Sequence, residues 1–275
     1  MISNQNHAIG IFDSGIGGLT VANAIFDLLP NEQLLYLGDT AHIPYGTKSA
    51  ASIRQFCLDI THYLLQQGCK AIVVACNTAS AAALESLRQT WPDIPIIGME
   101  PAVKPAVKAS KSGKIGVLAT AGTFDSVRYE SLVERFAEGK IVFENPCLGL
   151  VEKIEAGLQY HPTTIALLAE VLQPMLEEGV DTFVLGCTHY PIVKEQIQSI
   201  VGPNAQIINP APAVAKQLKK RLEKLALLRQ LPFEGKHPFL LSKYDLAFEN
   251  TLKRYGKAPY SLSEIDPSKV FSNLI

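Results

Sequence analysis

A chain of 275 residues, 47% hydrophobic and 19% charged, is long enough for two modest domains or one large one and has the composition of an ordinary soluble globular protein, not a disordered or fibrous one. A formal net charge of −1 lacks the basic surplus of phosphate-backbone binders, so no nucleic acid is expected, and no apolar run approaches the ~20 residues of a membrane helix, so no membrane is expected either. The polar start, Met1 to His7, lacks the regions of a signal peptide, and five cysteines form an odd set without a disulfide framework; both place the chain in the reducing cytoplasm, with free thiols. Neither a Cys-x-x-Cys pair nor His-rich spacing is present, so no metal site is expected.

In chain order, residues 8–12 read as a strand, Asp13-Ser14-Gly15-Ile16-Gly17-Gly18 as a Gly-rich turn and residues 19–29 as a helix stopping before Pro30. The turn's amides and the helix N-terminus make a ready anion site. Residues 34–37 form a second strand, followed by Gly38-Asp39-Thr40 and the loop Ala41-His42-Ile43-Pro44-Tyr45-Gly46. Ile53, Phe56, Cys57, Ile60 and Leu64 mark one face of a helix closed at Gly68. The strand over 71–75 ends at Cys76-Asn77-Thr78, a helix covers 79–91, and residues 94–98 are a fourth strand. This β-α-β-α-β-α-β order predicts a parallel sheet with helices on its faces. Residues 100–112, with Pro101 and Pro105, read as a short helical link to a second domain.

That domain opens like the first: Ile115-Gly-Val-Leu-Ala-Thr120 can be laid over Ile9-Gly-Ile-Phe-Asp-Ser14. A helix over 125–136 with Asp125 as N-cap, a strand over 140–144 and a short helix over 147–156 carrying Glu152 follow. The helix over 163–178 is interrupted by Pro174, and the strand over 182–186 delivers Cys187-Thr188-His189-Tyr190-Pro191 to a helix over 191–200. After a strand over 205–208, an amphipathic helix over 213–228, whose basic cluster reads as a solvated face, leads back to the first domain. The tail reads as a strand over 238–241, a helix over 244–255 and a polar end without clear structure. Domains of 1–99 with 211–275 and of 100–210 result.

Cys76 lies 62 residues after Ser14 and Cys187 lies 67 after Thr120, so an internal repeat places one thiol per half at the carboxyl end of a buried strand. That edge is where parallel α/β sheets bind ligands. Cys57 and Cys69 read as buried packing residues. A single cysteine at a strand end is as readily packing as chemistry; a matched pair suits inversion at a carbon centre, where one group takes a proton from one face and another supplies one to the opposite face. Asp13, Glu152 and His189 are candidate partners for the thiols, and Ser14, Asn77, Thr78, Thr120, Thr123 and Thr188 fall at strand ends with helix N-termini behind them, suited to a small ligand bearing carboxylates. The rival reading of Gly15-x-Gly17-x-x-Thr20 with Asp39 as a dinucleotide fingerprint lacks its third glycine and sets Asp13 against a pyrophosphate. A two-lobed amino-acid-binding protein is the non-enzymatic alternative.

The stretches Phe12-Asp-Ser-Gly-Ile-Gly-Gly18, Gly38-Asp-Thr-Ala-His-Ile-Pro-Tyr-Gly46, Ala75-Cys-Asn-Thr-Ala79 and Gly186-Cys-Thr-His-Tyr-Pro191 closely resemble the glutamate racemase family of the cofactor-independent aspartate/glutamate racemase superfamily. The resemblance implies two pseudo-symmetric α/β domains, each a mainly parallel sheet flanked by helices, with an active site in the cleft between them. It implies interconversion of L- and D-glutamate without a cofactor, for peptidoglycan synthesis. Carried over, Cys76 acts on D-glutamate and Cys187 on L-glutamate, assisted by Asp13, Glu152 and His189. Ser14, Tyr45, Gly46, Asn77, Thr78, Thr120, Thr123 and Thr188, together with Asp13 and His189, hold the substrate. The nearest alternative substrate is aspartate. Two stretches depart from the family pattern, at Gly149 and at Asn209-Pro210. The partner set is a small-molecule substrate, with a homodimer as an open alternative.

Overall fold

A computed structural model describes residues 4–271, so the outermost residues of the polar start and of the tail lie outside the described residues. In chain order the elements are β1 (Ile9–Asp13), α1 (Leu19–Leu28), β2 (Leu34–Gly38), α2 (Ala50–Gln66), β3 (Ala71–Val74), α3 (Asn77–Thr90) and β4 (Ile96–Ile97). Next come α4 (Val103–Ala109), β5 (Lys114–Leu118), α5 (Ala121–Phe124), α6 (Val127–Phe136), β6 (Ile141–Asn145), α7 (Leu150–Glu155), α8 (Pro162–Glu177), β7 (Thr182–Leu185), α9 (Lys194–Val201) and β8 (Gln206–Ile208). The chain ends with α10 (Ala211–Lys224), β9 (His237–Leu241), α11 (Leu246–Tyr255) and β10 (Tyr260–Glu264). Residues 4–99 with 211–271 form one compact unit and Glu100–Pro210 a second.

The first unit holds a six-stranded sheet in the order β10-β9-β2-β1-β3-β4, and every pairing is parallel. β1, β2 and β3 are buried along their whole length, as their unbroken apolar runs require once helices cover both faces. On one face Ile53, Cys57, Ile60 and Leu64 of α2 pack with Phe12, Leu37, Ile72 and Val74. The helical spacing of those α2 residues is what makes a single buried stripe. The second unit holds a parallel four-stranded sheet in the order β6-β5-β7-β8. Its core joins Val103 and Ala106 of α4 to Ile115, Val117, Tyr129 and Val184. The order β2-β1-β3-β4 thus recurs as β6-β5-β7-β8, and the cysteine-bearing strand neighbours the opening strand in both.

Several local expectations are corrected. Residues 103–109 are a core helix of the second unit, not a bare link, because Val103 and Ala106 are fully buried there. Ser126, not Asp125, caps α6, accepting the Tyr129 N–H; residues 121–124 form a turn of helix that Asp125 closes. Helix α8 runs unbroken through Pro174, since both Pro174 and Glu170, whose carbonyl loses its N–H partner, lie on the exposed side. The helix after Cys187 begins at Lys194, behind a 3₁₀ turn over Tyr190–Val193. The tail is not structureless: β10 extends the sheet beside β9, and Val270 and Phe271 are buried in the first unit's core. Its Tyr-Ser-Leu-Ser-Glu sequence is half-exposed at a sheet edge, too polar to announce a strand. No helix among the described residues is long and apolar enough to cross a membrane.

Candidate active site

The carboxyl edges of the two sheets each carry a cluster of reactive side chains, one in each unit. In the first, the parallel register pairs Phe12 with Val74, and the Ala75 N–H donates to the Phe12 carbonyl at 2.7 Å, so Asp13 and Cys76 emerge from adjacent strand ends. Cys76 is the N-cap of α3: its Sγ accepts the Ala79 N–H at 3.4 Å, and the helix begins two residues earlier than its sequence suggests. A sulfur at a helix N-terminus meets orphan amides and the positive end of the helix dipole, the environment that supports a thiolate. Asn77 and Thr78 open this helix, both buried, and neither the Nδ2 nor the Oδ1 of Asn77 has a hydrogen-bond partner among the described residues. A buried amide without partners is a costly arrangement that a bound polar ligand would relieve.

The Gly-rich turn has a different task from the one its sequence suggested. Two of its amides are occupied by the chain's own carboxylate: Asp13 Oδ2 accepts from the Gly18 N–H at 2.7 Å and the Gly15 N–H at 3.3 Å. Gly18 must be glycine, because a Cβ there would lie 2.5 Å from both the Asp13 Cβ and the Tyr36 hydroxyl. The turn therefore holds Asp13 in place at the strand end, and a pyrophosphate there would meet that carboxylate. Ser14 is buried beside it. Tyr45 is buried with its hydroxyl donated to Asp39 Oδ2 at 2.7 Å, so its side-chain donor is taken by the protein itself.

In the second unit the Gly186 N–H donates to the Leu118 carbonyl at 2.6 Å, which sets Cys187 just beyond the end of β7. The His189 Nδ1 faces the Cys187 Sγ at 3.6 Å, and its Nε2 meets Glu155 Oε1 at 2.5 Å. Burial alone would lower the His189 pKa, but the Glu155 carboxylate and the Cys187 sulfur outweigh it and hold the imidazole well above its ordinary value. As imidazolium it donates to both neighbours, a Cys-His-Glu relay of the kind that activates thiols. Thr188 and Thr123 are buried nearby in sequence to Cys187 and to the end of β5, and the Thr120 and Thr123 hydroxyls lie 3.1 Å apart.

The carboxylate paired with His189 is Glu155, not Glu152, which is exposed on the first turn of α7. The helical spacing of Leu150, Val151 and Ile154 carried this signal: it puts Glu155 at the border of the apolar stripe and Glu152 on the opposite side. Gly149 precedes α7 in the left-handed region, φ 81°, where a side chain would be strained. The remaining cysteines behave as packing: burial pushes Cys69 and Cys147 up to about 12 and raises Cys57 further, with the Tyr190 hydroxyl opposing and Cys187 adding to the shift at Cys147. All five cysteines are free, and no group of His, Cys, Asp and Glu among the described residues is arranged to hold a metal ion.

These two clusters can be set against known proteins. The Asp/Glu/Hydantoin racemase family model matches residues 17–218. A glutamate racemase of Pseudomonas aeruginosa is 52% identical over 224 residues, 82% of this chain and 84% of that one. Among solved structures, the glutamate racemase isoform RacE1 of Bacillus anthracis has a TM-score of 0.86 at 35% identity, covering 96% of this chain and 99% of that one. The Francisella tularensis glutamate racemase in complex with D-glutamate has a TM-score of 0.83 at 32% identity, covering 96% and 98%. The chain therefore belongs to the Asp/Glu/hydantoin racemase family, and within it to the glutamate racemases, which are amino-acid racemases of the isomerase class.

Proposed function

We propose that the chain interconverts L- and D-glutamate without a cofactor, by two-base proton transfer at the α-carbon. The observation that carries this reading is a pair of thiols, neither in a disulfide, at equivalent strand ends: Cys76 at a helix N-terminus on the strand next to the one that ends at Asp13, Cys187 against the His189–Glu155 pair. With L-glutamate, the Cys187 thiolate takes the α-proton, and the Cys76 thiol gives its proton to the opposite face of the carbanion. Bond breaking and bond making balance, leaving Cys187 protonated and Cys76 as thiolate. D-glutamate runs the same steps in reverse, so each thiol serves one enantiomer. Asp13 and the His189–Glu155 pair return the thiols to their starting protonation states.

Substrate is held by Ser14, Asn77 and Thr78 and by the Tyr45–Gly46 backbone on the Cys76 side, and by Thr120, Thr123, Thr188 and His189 on the Cys187 side. The unpartnered Asn77 amide supports this placement. The D-glutamate formed serves peptidoglycan synthesis in the cytoplasm. Incubating the enzyme with L-glutamate in deuterium oxide, with no added cofactor, tests the mechanism: D-glutamate carrying deuterium at the α-carbon is expected. Racemisation that leaves the α-carbon unlabelled would exclude proton abstraction by an exchangeable thiol.

A further inference from the structure

The C-terminal segment reaches the Cys76 edge of the first sheet. β9 lies beside β2 with Leu241 level with Gly38, and the Ser242 N–H then donates to the Gly38 carbonyl at 3.0 Å. This register carries the Ser242 side chain, 1% exposed, to Asp39, the residue that follows β2 and is itself fully buried. The Ser242 hydroxyl donates to Asp39 Oδ1 at 2.8 Å and accepts the Ala41 N–H at 2.9 Å. Beside it the Lys243 N–H donates to the Thr40 hydroxyl at 3.1 Å, and that hydroxyl donates to the Lys243 carbonyl.

A fully buried carboxylate persists only when donors surround it, and here they come from three places. Besides Ser242, Asp39 accepts from His42 Nδ1 at 2.8 Å and from the Tyr45 hydroxyl at 2.7 Å. The Asp39 N–H in turn donates to the Asp13 carbonyl at 2.9 Å, tying the cluster to the strand end that carries Asp13. His42 is fixed from its other sides by stacking on Phe56, with ring centroids 4.2 Å apart, and by the edge of Phe271, a second contribution of the C-terminal segment, at 4.8 Å. Burial first, then the charge of Asp39, keeps the Tyr45 hydroxyl protonated and hence a donor, and Cys57 and Cys76 push in the same direction. The loop that carries Tyr45 and Gly46 is thus anchored through one carboxylate, and one of that carboxylate's donors arrives from some 200 residues away in sequence.

We propose that Ser242 is a positioning residue for racemisation: by occupying Asp39 Oδ1 and fixing the Ala41 amide it sets the loop on which Tyr45 and Gly46 meet the substrate. The inference rests on the function proposed above, and it gives the C-terminal segment a part in substrate binding that the cysteine-bearing strands alone do not fill. Loss of the hydroxyl loosens substrate binding more than chemistry, because neither thiol is moved directly.

The test is steady-state kinetics in both directions on Ser242→Ala and Ser242→Thr, alongside thermal unfolding. Ser242→Ala is expected to raise KM for both enantiomers about tenfold, the scale of one hydrogen bond to a charged group, with kcat within about twofold. Ser242→Thr keeps the hydroxyl and is expected to restore KM. Should the alanine variant fail to fold, Ser242→Cys, of similar volume but a weaker donor, is expected to show the same KM-selective rise. An unchanged KM in a folded Ala or Cys variant, or a fall in kcat with KM unmoved, would overturn the inference. So would a KM defect in Ser242→Ala that folded Ser242→Thr shares. Those results, with Cys76→Ala inactive, would leave the two-thiol reading intact, whereas turnover surviving in Cys76→Ala would remove that reading itself.

Discussion

Cys76 and Cys187 occupy equivalent strand ends in two sheets of matching order, yet their surroundings are built from different physics. Cys76 caps a 14-residue helix and takes its electrostatic support from amides and a dipole. Cys187 precedes only a 3₁₀ turn, and its support comes from the His189 imidazole, held ionised by Glu155. A repeated topology therefore conserves where a thiol is delivered without dictating how its charge is handled. The distinction has a consequence for pH: the amides at the Cys76 side do not titrate, whereas the imidazole at the Cys187 side does.

The strongest way to break the comparison is to remove either thiol. Cys76→Ala and Cys187→Ala should each abolish racemisation, a loss of about 10²–10⁴-fold or more followed by circular dichroism in both directions. Substantial turnover in one variant alone would mean that the two strand ends are equivalent in topology only.

Replacing Glu155 sharpens the contrast in pH dependence. Glu155 and Cys187 raise the His189 pKa against burial, which lowers it. In Glu155→Gln burial acts with less opposition, so the imidazolium is lost at lower pH. The alkaline limb of kcat/KM for L-glutamate should move to lower pH, and activity on that limb should fall about tenfold, in line with one lost charge pairing. The same raised pKa contributes stability in full below the unfolded value of about 6.5, lost as pH rises through the folded value; Glu155→Gln should flatten that part of the stability profile in urea titrations. The effect of Glu155→Gln on turnover should exceed that of Glu152→Gln by about tenfold, since Glu152 is exposed and Glu155 is the residue in contact.

On the Cys76 side the smallest change is Gly18→Ala. The new methyl collides with Asp13 and Tyr36, so the carboxylate must shift from the two amides that hold it. A severalfold loss of kcat and a destabilisation of about 1–3 kcal/mol, the usual cost of overpacking, are expected from kinetics and urea unfolding. A fully active Gly18→Ala enzyme would show that Asp13 does not need its present position.

Much of this was legible without coordinates. Unbroken β-branched runs ending in Cys-Asn-Thr and Cys-Thr-His specify buried parallel strands with thiols at their carboxyl ends, because period and burial are local properties of the chain. The repeat from Ser14 to Cys76 and from Thr120 to Cys187 likewise anticipates the matched sheet orders. Other features are decided by packing. Glu152 and Glu155 are chemically identical, and only the rotation of α7, set by burying Leu150 and Ile154, selects which one reaches His189. The Gly-rich turn reads as an anion site, and the fold fills that site with Asp13 from the same chain. Ser242 carries no local mark at all, since its role exists only once β9 is in register with β2. What the sequence determined by itself was therefore the cysteine-bearing strands, their thiols and their duplication, all encoded over a few neighbouring residues. Which carboxylate, which donor and which amide stand beside those thiols was left to the tertiary structure, because such pairings join residues that share no sequence neighbourhood and are chosen by how buried surfaces fit.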